Sequence, residues 1–140
     1  MKKATYLLSA LLFAATTLFA QDHKHGSPHG GEVKTAGTAF HIEALVKKGV
    51  LIVYLLDANE KTMSIAGATA TALIQTANGK VSTSALKANG KANFIYHLSP
   101  AIKYNKAIIT LKKGGKTASA SFDLNKKTPG KASETAGHHH

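Results

Sequence analysis

Three of the chain's eight histidines, His23, His25 and His29, fall within Gln21-Asp22-His23-Lys24-His25-Gly26-Ser27-Pro28-His29-Gly30-Gly31. Neutral imidazole binds copper, zinc and nickel, and a flexible His-rich tract can wrap an ion without a preformed cage. A second chemistry appears if the chain is cut after Ala20. The mature protein then begins Gln21-Asp22-His23. A free amine with His at the third position offers a square plane made of the amine, two deprotonated backbone amides and the imidazole Nδ1. Nitrogen-rich square-planar geometry favours Cu(II) or Ni(II) over zinc. That plane requires the cut to fall after Ala20 and Gln21 to keep its amine rather than cyclise. The competing reading is a solvated linker in which histidine happens to be common.

His41 and Glu43 stand two apart in a strand-like run and so point to one face. His97 belongs to a later run. In an immunoglobulin-like topology the strands of His41 and His97 flank a common neighbour, about 10 Å apart between backbones. Across that gap the two imidazoles can just reach a common ion. Against this, a lone strand His or Glu is ordinarily an exposed face residue. His138-His139-His140 ends the sequence, either as a native tail or as the remnant of a purification tag.

These residues need elements to hold them, and composition limits what those can be. Among 140 residues there is no Cys, which excludes disulfides, thiolate metal sites, a thiol nucleophile and a lipid-modified cysteine. One domain held by an aliphatic core is expected. Residues 1–20 read as a cleaved signal peptide: Lys2 and Lys3 form the positive region, Tyr6 to Phe19 the apolar region, and Ala20 the cut site. The apolar run is short for a membrane span, so no stable insertion is expected after cleavage. Export places the mature chain in a periplasm or outside the cell. Without Lys2 and Lys3, sixteen Lys face seven acidic residues, a formal charge of +9. The lysines are spread over the whole length, and no Arg offers bidentate phosphate contacts. Nucleic acid is therefore not an expected partner.

Residues 21–37 read as a flexible His-rich leader, with Glu32-Val33-Lys34 able to start a short edge strand. From Thr38 the pattern is β. Phe40, Ile42, Ala44 and Val46 alternate with His41, Glu43 and Leu45. Lys47-Lys48-Gly49 turns the chain into the apolar run Val50 to Leu56, suited to a central strand. Further strands are expected at Ala68 to Thr76, Lys80 to Leu86, Ala92 to Leu98, Ala107 to Leu111 and Lys116 to Leu124. Asn78-Gly79 and Asn89-Gly90 supply hairpin turns. About seven strands and no helix after residue 20 predict an all-β, immunoglobulin-like sandwich over 38–124, with a small barrel second. Residues 125–140 lack an apolar pattern and read as a flexible tail.

Pro28-His29-Gly30-Gly31-Glu32-Val33, then Ala39-Phe40-His41-Ile42-Glu43-Ala44-Leu45-Val46, then Leu51-Ile52-Val53-Tyr54-Leu55-Leu56-Asp57 resemble the small periplasmic β domains of heavy-metal efflux systems. These occur alone and as the N-terminal module of the pumps' periplasmic adaptor subunits. The resemblance covers residues 28–124. It implies a sandwich-like fold, an association with copper, zinc, cobalt or nickel handling, and roles for His29, His41 and Glu43. Two features depart from the group. The chain lacks the helical hairpin and lipoyl-like parts of a full adaptor, and Met63 is the sole methionine after residue 20, which disfavours Cu(I) shuttling.

Two functions follow as expectations. One is an exported protein that binds a divalent ion, copper, zinc or nickel, through Gln21, Asp22, His23, His25, His29, His41, Glu43 and His97, in metal buffering or in efflux with other components of such a system. The other is a non-catalytic interaction or structural module with no specific metal. No nucleophile elbow, phosphate-cradling Gly loop or confident carboxylate pair points to an enzyme.

Overall fold

The computed structural model describes residues 26–37 and 40–125. Among them nine strands form two antiparallel sheets. They are β1 (Glu32–Ala36), β2 (Phe40–Lys47), β3 (Val50–Leu56), β4 (Thr69–Thr76), β5 (Val81–Ala85), β6 (Lys87–Asn89), β7 (Asn93–His97), β8 (Tyr104–Lys113) and β9 (Lys116–Asp123). One sheet has the order β1-β2-β3-β7-β6 and the other β5-β4-β8-β9. The protein is an all-β sandwich.

The alternation read along the chain selects the core. Ile42 and Ala44 of β2 and Leu51, Val53 and Leu55 of β3 are buried, as is Phe94 of β7. From the other sheet come Ala70, Ala72, Ile74, Ala107, Ile109, Leu111, Ala118, Ala120 and Phe122. Alanines and larger side chains are thus mixed across the two inner faces, which lets the layers close to interior density. Each fully buried Leu, Ile or Phe contributes roughly 1.5–3 kcal/mol over exposure.

The β2–β3 hairpin closes in two residues. Lys48 and Gly49 both take positive φ, 50° and 74°, the backbone that a two-residue turn needs to follow the strand twist. This turn fixes the register on which the site depends: Glu43 lies opposite Tyr54, and His41 opposite Leu56.

The sequence reading missed β6, and β1 is the short edge strand allowed for at Glu32-Val33-Lys34. β6 is only three residues long, too short for any periodic signal, and the chain reaches it from β5 by changing sheets at buried Leu86. β1 forms inside the stretch expected to be a flexible leader. It pairs with β2 over five residues and also helps close the sandwich against β9. There the Lys34 ammonium donates to the Ser121 carbonyl and lies 5.5 Å from the Phe122 ring centroid. Glu32–Ala36 is thus part of the sandwich.

Candidate functional site

Glu43 points away from the core, on the outer face of β2, yet it is 0% exposed. A fully buried carboxylate needs partners for its lone pairs. The leader supplies them. Ser27 and Pro28 begin a turn in which the Gly30 N–H donates to the Ser27 carbonyl. The turn aims the His29 and Gly31 amides at one oxygen, each 2.9 Å from Glu43 Oε1. Ser27 Oγ lies 3.0 Å from the same oxygen and 2.7 Å from the Gly31 carbonyl. Backbone amides converging in this way form an anion-binding concavity. Gly31 is required by closeness: a Cβ there would stand 2.7 Å from the Ala44 carbonyl oxygen and 2.9 Å from Glu43 Cγ.

The other carboxylate oxygen holds His29. Its Nδ1 lies 2.7 Å from Glu43 Oε2. An ionised carboxylate only accepts, so Nδ1 carries the proton. The imidazole lies flat on Tyr54, with ring centroids 3.5 Å apart and planes inclined by 2°. Its remaining nitrogen, Nε2, is 3.3 Å from Thr62 Oγ1. The ring is thus fixed on three sides while its side chain stays 27% exposed. In the neutral ring Nε2 holds the lone pair, free of a proton, which is the state that binds a metal ion or accepts the Thr62 proton.

Thr62 is positioned by the turn after β3. Asp57 Oδ1 accepts from the amides of Asn59 and Lys61 at 2.8 and 3.0 Å. The Glu60 N–H donates to the Asp57 carbonyl, and Thr62 then bridges back to Leu56.

The structure sorts the expected site residues. His29 and Glu43 are brought together, but both oxygens of Glu43 are taken by protein donors, so Glu43 acts on an ion only through His29. His41 shares the outer face with Glu43, as expected, and its Nδ1 lies 3.2 Å from Thr35 Oγ1. His97 is exposed and lies opposite Val50. The strands of His41 and His97 do flank β3, but Leu56 and Val50 are at its opposite ends. The two imidazoles are therefore about 20 Å apart along the strand direction, and the expected convergence on one ion does not occur. Gln21, Asp22, His23, His25 and His138 to His140 lie outside the described residues, as does the expected signal peptide. Among the described residues no three His, Cys, Asp or Glu side chains gather in a way that could hold a metal ion.

Ser27, Gly31, Tyr54 and Thr62 were not identified from sequence. Tyr54 could have been: the two-residue Lys48-Gly49 turn pairs residue 43 with residue 54 by counting outward from the turn. Comparison with protein-family models, with characterised proteins and with solved structures gave no match.

Proposed function

We propose that this is an exported protein that binds a divalent transition metal, copper, zinc or nickel, through its His-rich leader, with His29 as the fixed ligand. One observation carries the reading: the Glu43 carboxylate holds the proton on His29 Nδ1 and leaves Nε2, 3.3 Å from Thr62 Oγ1, without one on a clamped ring whose side chain is 27% exposed. Metal-binding histidines commonly donate their second nitrogen to a carboxylate in this manner, which orients the ring and raises its basicity. The described residues supply one such imidazole. The remaining ligands are assigned to His23 and His25, six and four positions before it, with the Gln21 amine and Asp22 backbone in the square-planar case. Buffering or delivery in a heavy-metal efflux system, in a periplasm, is the setting that the sequence resemblance suggests. Immunoglobulin-like connectivity belongs to the same proposal, supported by the order β2-β3-β7-β6 over β4-β8-β9.

The test is calorimetric titration of Cu(II), Zn(II) and Ni(II) into the chain beginning at Gln21 and into the chain beginning at Gly26. The longer chain is expected to take up one ion, and the shorter to bind at least 100-fold more weakly. Equal affinities refute the leader as the site. No uptake by either, beyond that of free imidazole, refutes metal binding altogether.

The second reading, an interaction module, has its own support. Leu45, Ile52 and Ile95 lie side by side across β2, β3 and β7 on the outer face, each partly exposed. Under this reading His29 serves only to fasten the leader, and the titration shows no uptake.

A further inference from the structure

The two sheets end on the edge strands β1, β6, β5 and β9, and all but β5 are blunted. β1 carries Glu32 and Lys34, β9 carries Lys116 and Asp123, and the two strands lie against each other. β6 is three residues long and opens on Lys87. β5 reads Val-Ser-Thr-Ser-Ala, without charge, Pro or Gly, and it pairs with β4 along its whole length with no bulge. Sheet edges are normally protected by lysine, proline, a bulge or short length, because their unpaired amides and carbonyls recruit another strand. Among the described residues no strand pairs with the other side of β5.

The ladder shows which backbone groups face that side. The Thr76 N–H donates to the Lys80 carbonyl and the Leu86 N–H to the Ala70 carbonyl, each at 2.9 Å. Backbone groups alternate in direction along an antiparallel strand, so Lys80, Ser82, Ser84 and Leu86 face β4. Val81, Thr83 and Ala85 therefore turn their N–H and C=O groups outward. Thr83 lies opposite Leu73, which is 39% exposed between buried Ala72 and Ile74, so the side chains of Val81, Thr83 and Ala85 share the sheet's outer face.

We propose that β5 docks a second copy of this chain, edge to edge and antiparallel, joining two four-stranded sheets into one. The strand is its own complement about Thr83. Thr83 meets the second copy's Thr83, Val81 meets its Ala85, and every outward N–H and C=O finds a partner. This self-matching favours a second copy over an unrelated peptide: the facing side chains are small, Thr opposite Thr is itself a favourable pair, and no charge is buried. A two-fold axis through Thr83 generates the contact, so it closes at the dimer. The formal charge of +9 on each copy after residue 20 opposes approach, but at physiological ionic strength charges more than about 8 Å apart are screened. One strand pair makes an interface below the roughly 1,200 Å² of stable complexes, so the dimer is weak and reversible. It is independent of metal binding.

Sedimentation velocity at physiological ionic strength is run on the chain beginning at Gln21, which keeps every described residue, from micromolar to millimolar concentration. The weight-average mass is expected to climb from monomer toward dimer. Thr83→Lys sets like charges opposite each other at the axis and is expected to weaken association at least about tenfold. Thr117→Lys, at an exposed position on β9 at the far edge of the same sheet, is expected to weaken it less than about twofold. Disulfide trapping, which the Cys-free chain allows, reads the register. Ser82 would face the second copy's Ser84 at a Cα separation of about 4.5 Å, within disulfide range. Like positions would stand about 8 Å apart, beyond it. A mixture of Ser82→Cys and Ser84→Cys is therefore expected to crosslink on mild oxidation, and neither variant alone. A wild type that stays monomeric at every concentration overturns the proposal; it is the outcome expected if the edge receives an extended segment of another protein. A dimer that Thr83→Lys leaves intact, or a mixture that crosslinks no more than the single variants, also overturns it. The trapping result decides the matter on its own if Thr83→Lys fails to fold.

Discussion

Replacing Glu43 by Gln tests the arrangement that joins leader to sandwich. The substitution keeps the shape and exchanges one oxygen for an amide. The carbonyl oxygen can still accept from Ser27 and from the His29 and Gly31 amides, which now lie 2.9–3.0 Å from Oε1. The new NH₂ group then faces His29 Nδ1 across 2.7 Å. Two donors cannot share that contact, so the ring must move its proton to Nε2 and turn Nδ1 into an acceptor. Hydrogen bonds to a charged group contribute about 1.5–3 kcal/mol each and neutral ones about 0.5–1.5. Exchanging all four contacts naively would cost several kcal/mol. The leader is peripheral, however, and can lift away and return its donors to water, which caps the loss. A cost of about 1–2 kcal/mol is therefore expected, or about 4–16 °C in Tm for a domain near this size. Thermal unfolding monitored by circular dichroism reads the first effect, and ¹⁵N shifts of the His29 ring read the change of tautomer. Metal affinity is expected to fall about 10–100-fold, the usual consequence of losing a carboxylate behind a ligating histidine. A Tm within 2 °C of wild type and an unchanged ring tautomer would refute the clasp. A lowered Tm with unchanged metal affinity would keep the clasp and remove Nε2 as a ligand.

Two further substitutions probe the same residues from other sides. Gly31→Ala drives a Cβ toward the Ala44 carbonyl, a backbone atom that cannot swing aside. It is expected to cost about 1–3 kcal/mol in urea unfolding and to speed hydrogen exchange at the His29 amide; exchange at the wild-type rate would show that the leader is held elsewhere. Thr62→Val removes the hydroxyl that lies on Nε2. Metal-free stability is expected to drop by about 0.5–1.5 kcal/mol, while Zn(II) affinity measured by calorimetry rises several-fold, because the ion no longer competes with an internal partner. An affinity equal to or below that of wild type would exclude Thr62 as a competitor for the ion.

The β2–β3 hairpin was legible because every determinant is local. Its turn residues fix the loop length, the loop length fixes the register, and the register places Glu43 beside Tyr54. The same holds for the alternation that buries Ile42, Ala44, Ala118 and Ala120. The pairing of β3 with β7 is different. Some forty residues separate the two strands, and their register is set by how Phe94 and Leu51 fit the core rather than by any turn. His97 could be assigned to the right neighbour but not to the right end of it. The leader failed for another reason. Its backbone is held by a buried carboxylate fourteen residues away from His29, and no periodicity records such a contact. Glu43 itself looked exposed because parity put it on the outer face; what buries it is a turn that hydropathy cannot show.

His29 is the residue on which the two functional readings part. Fastening the leader requires a donor for Glu43 Oε2 and a flat surface for Tyr54. Phe would give the surface without the donor, and Asn the donor with little surface. Histidine meets both requirements, so the clasp alone is sufficient reason for it to be there. What the clasp does not require is the second ring nitrogen, Nε2. A purely structural His29 gains from Thr62 because the hydroxyl satisfies that nitrogen, and removing the hydroxyl then only costs stability. A ligating His29 has the opposite interest, since the hydroxyl occupies the lone pair that the ion needs. Stability and metal affinity should thus move in opposite directions at Thr62, and in the same direction at Glu43. No structural role for His29 alone produces that pair of signs.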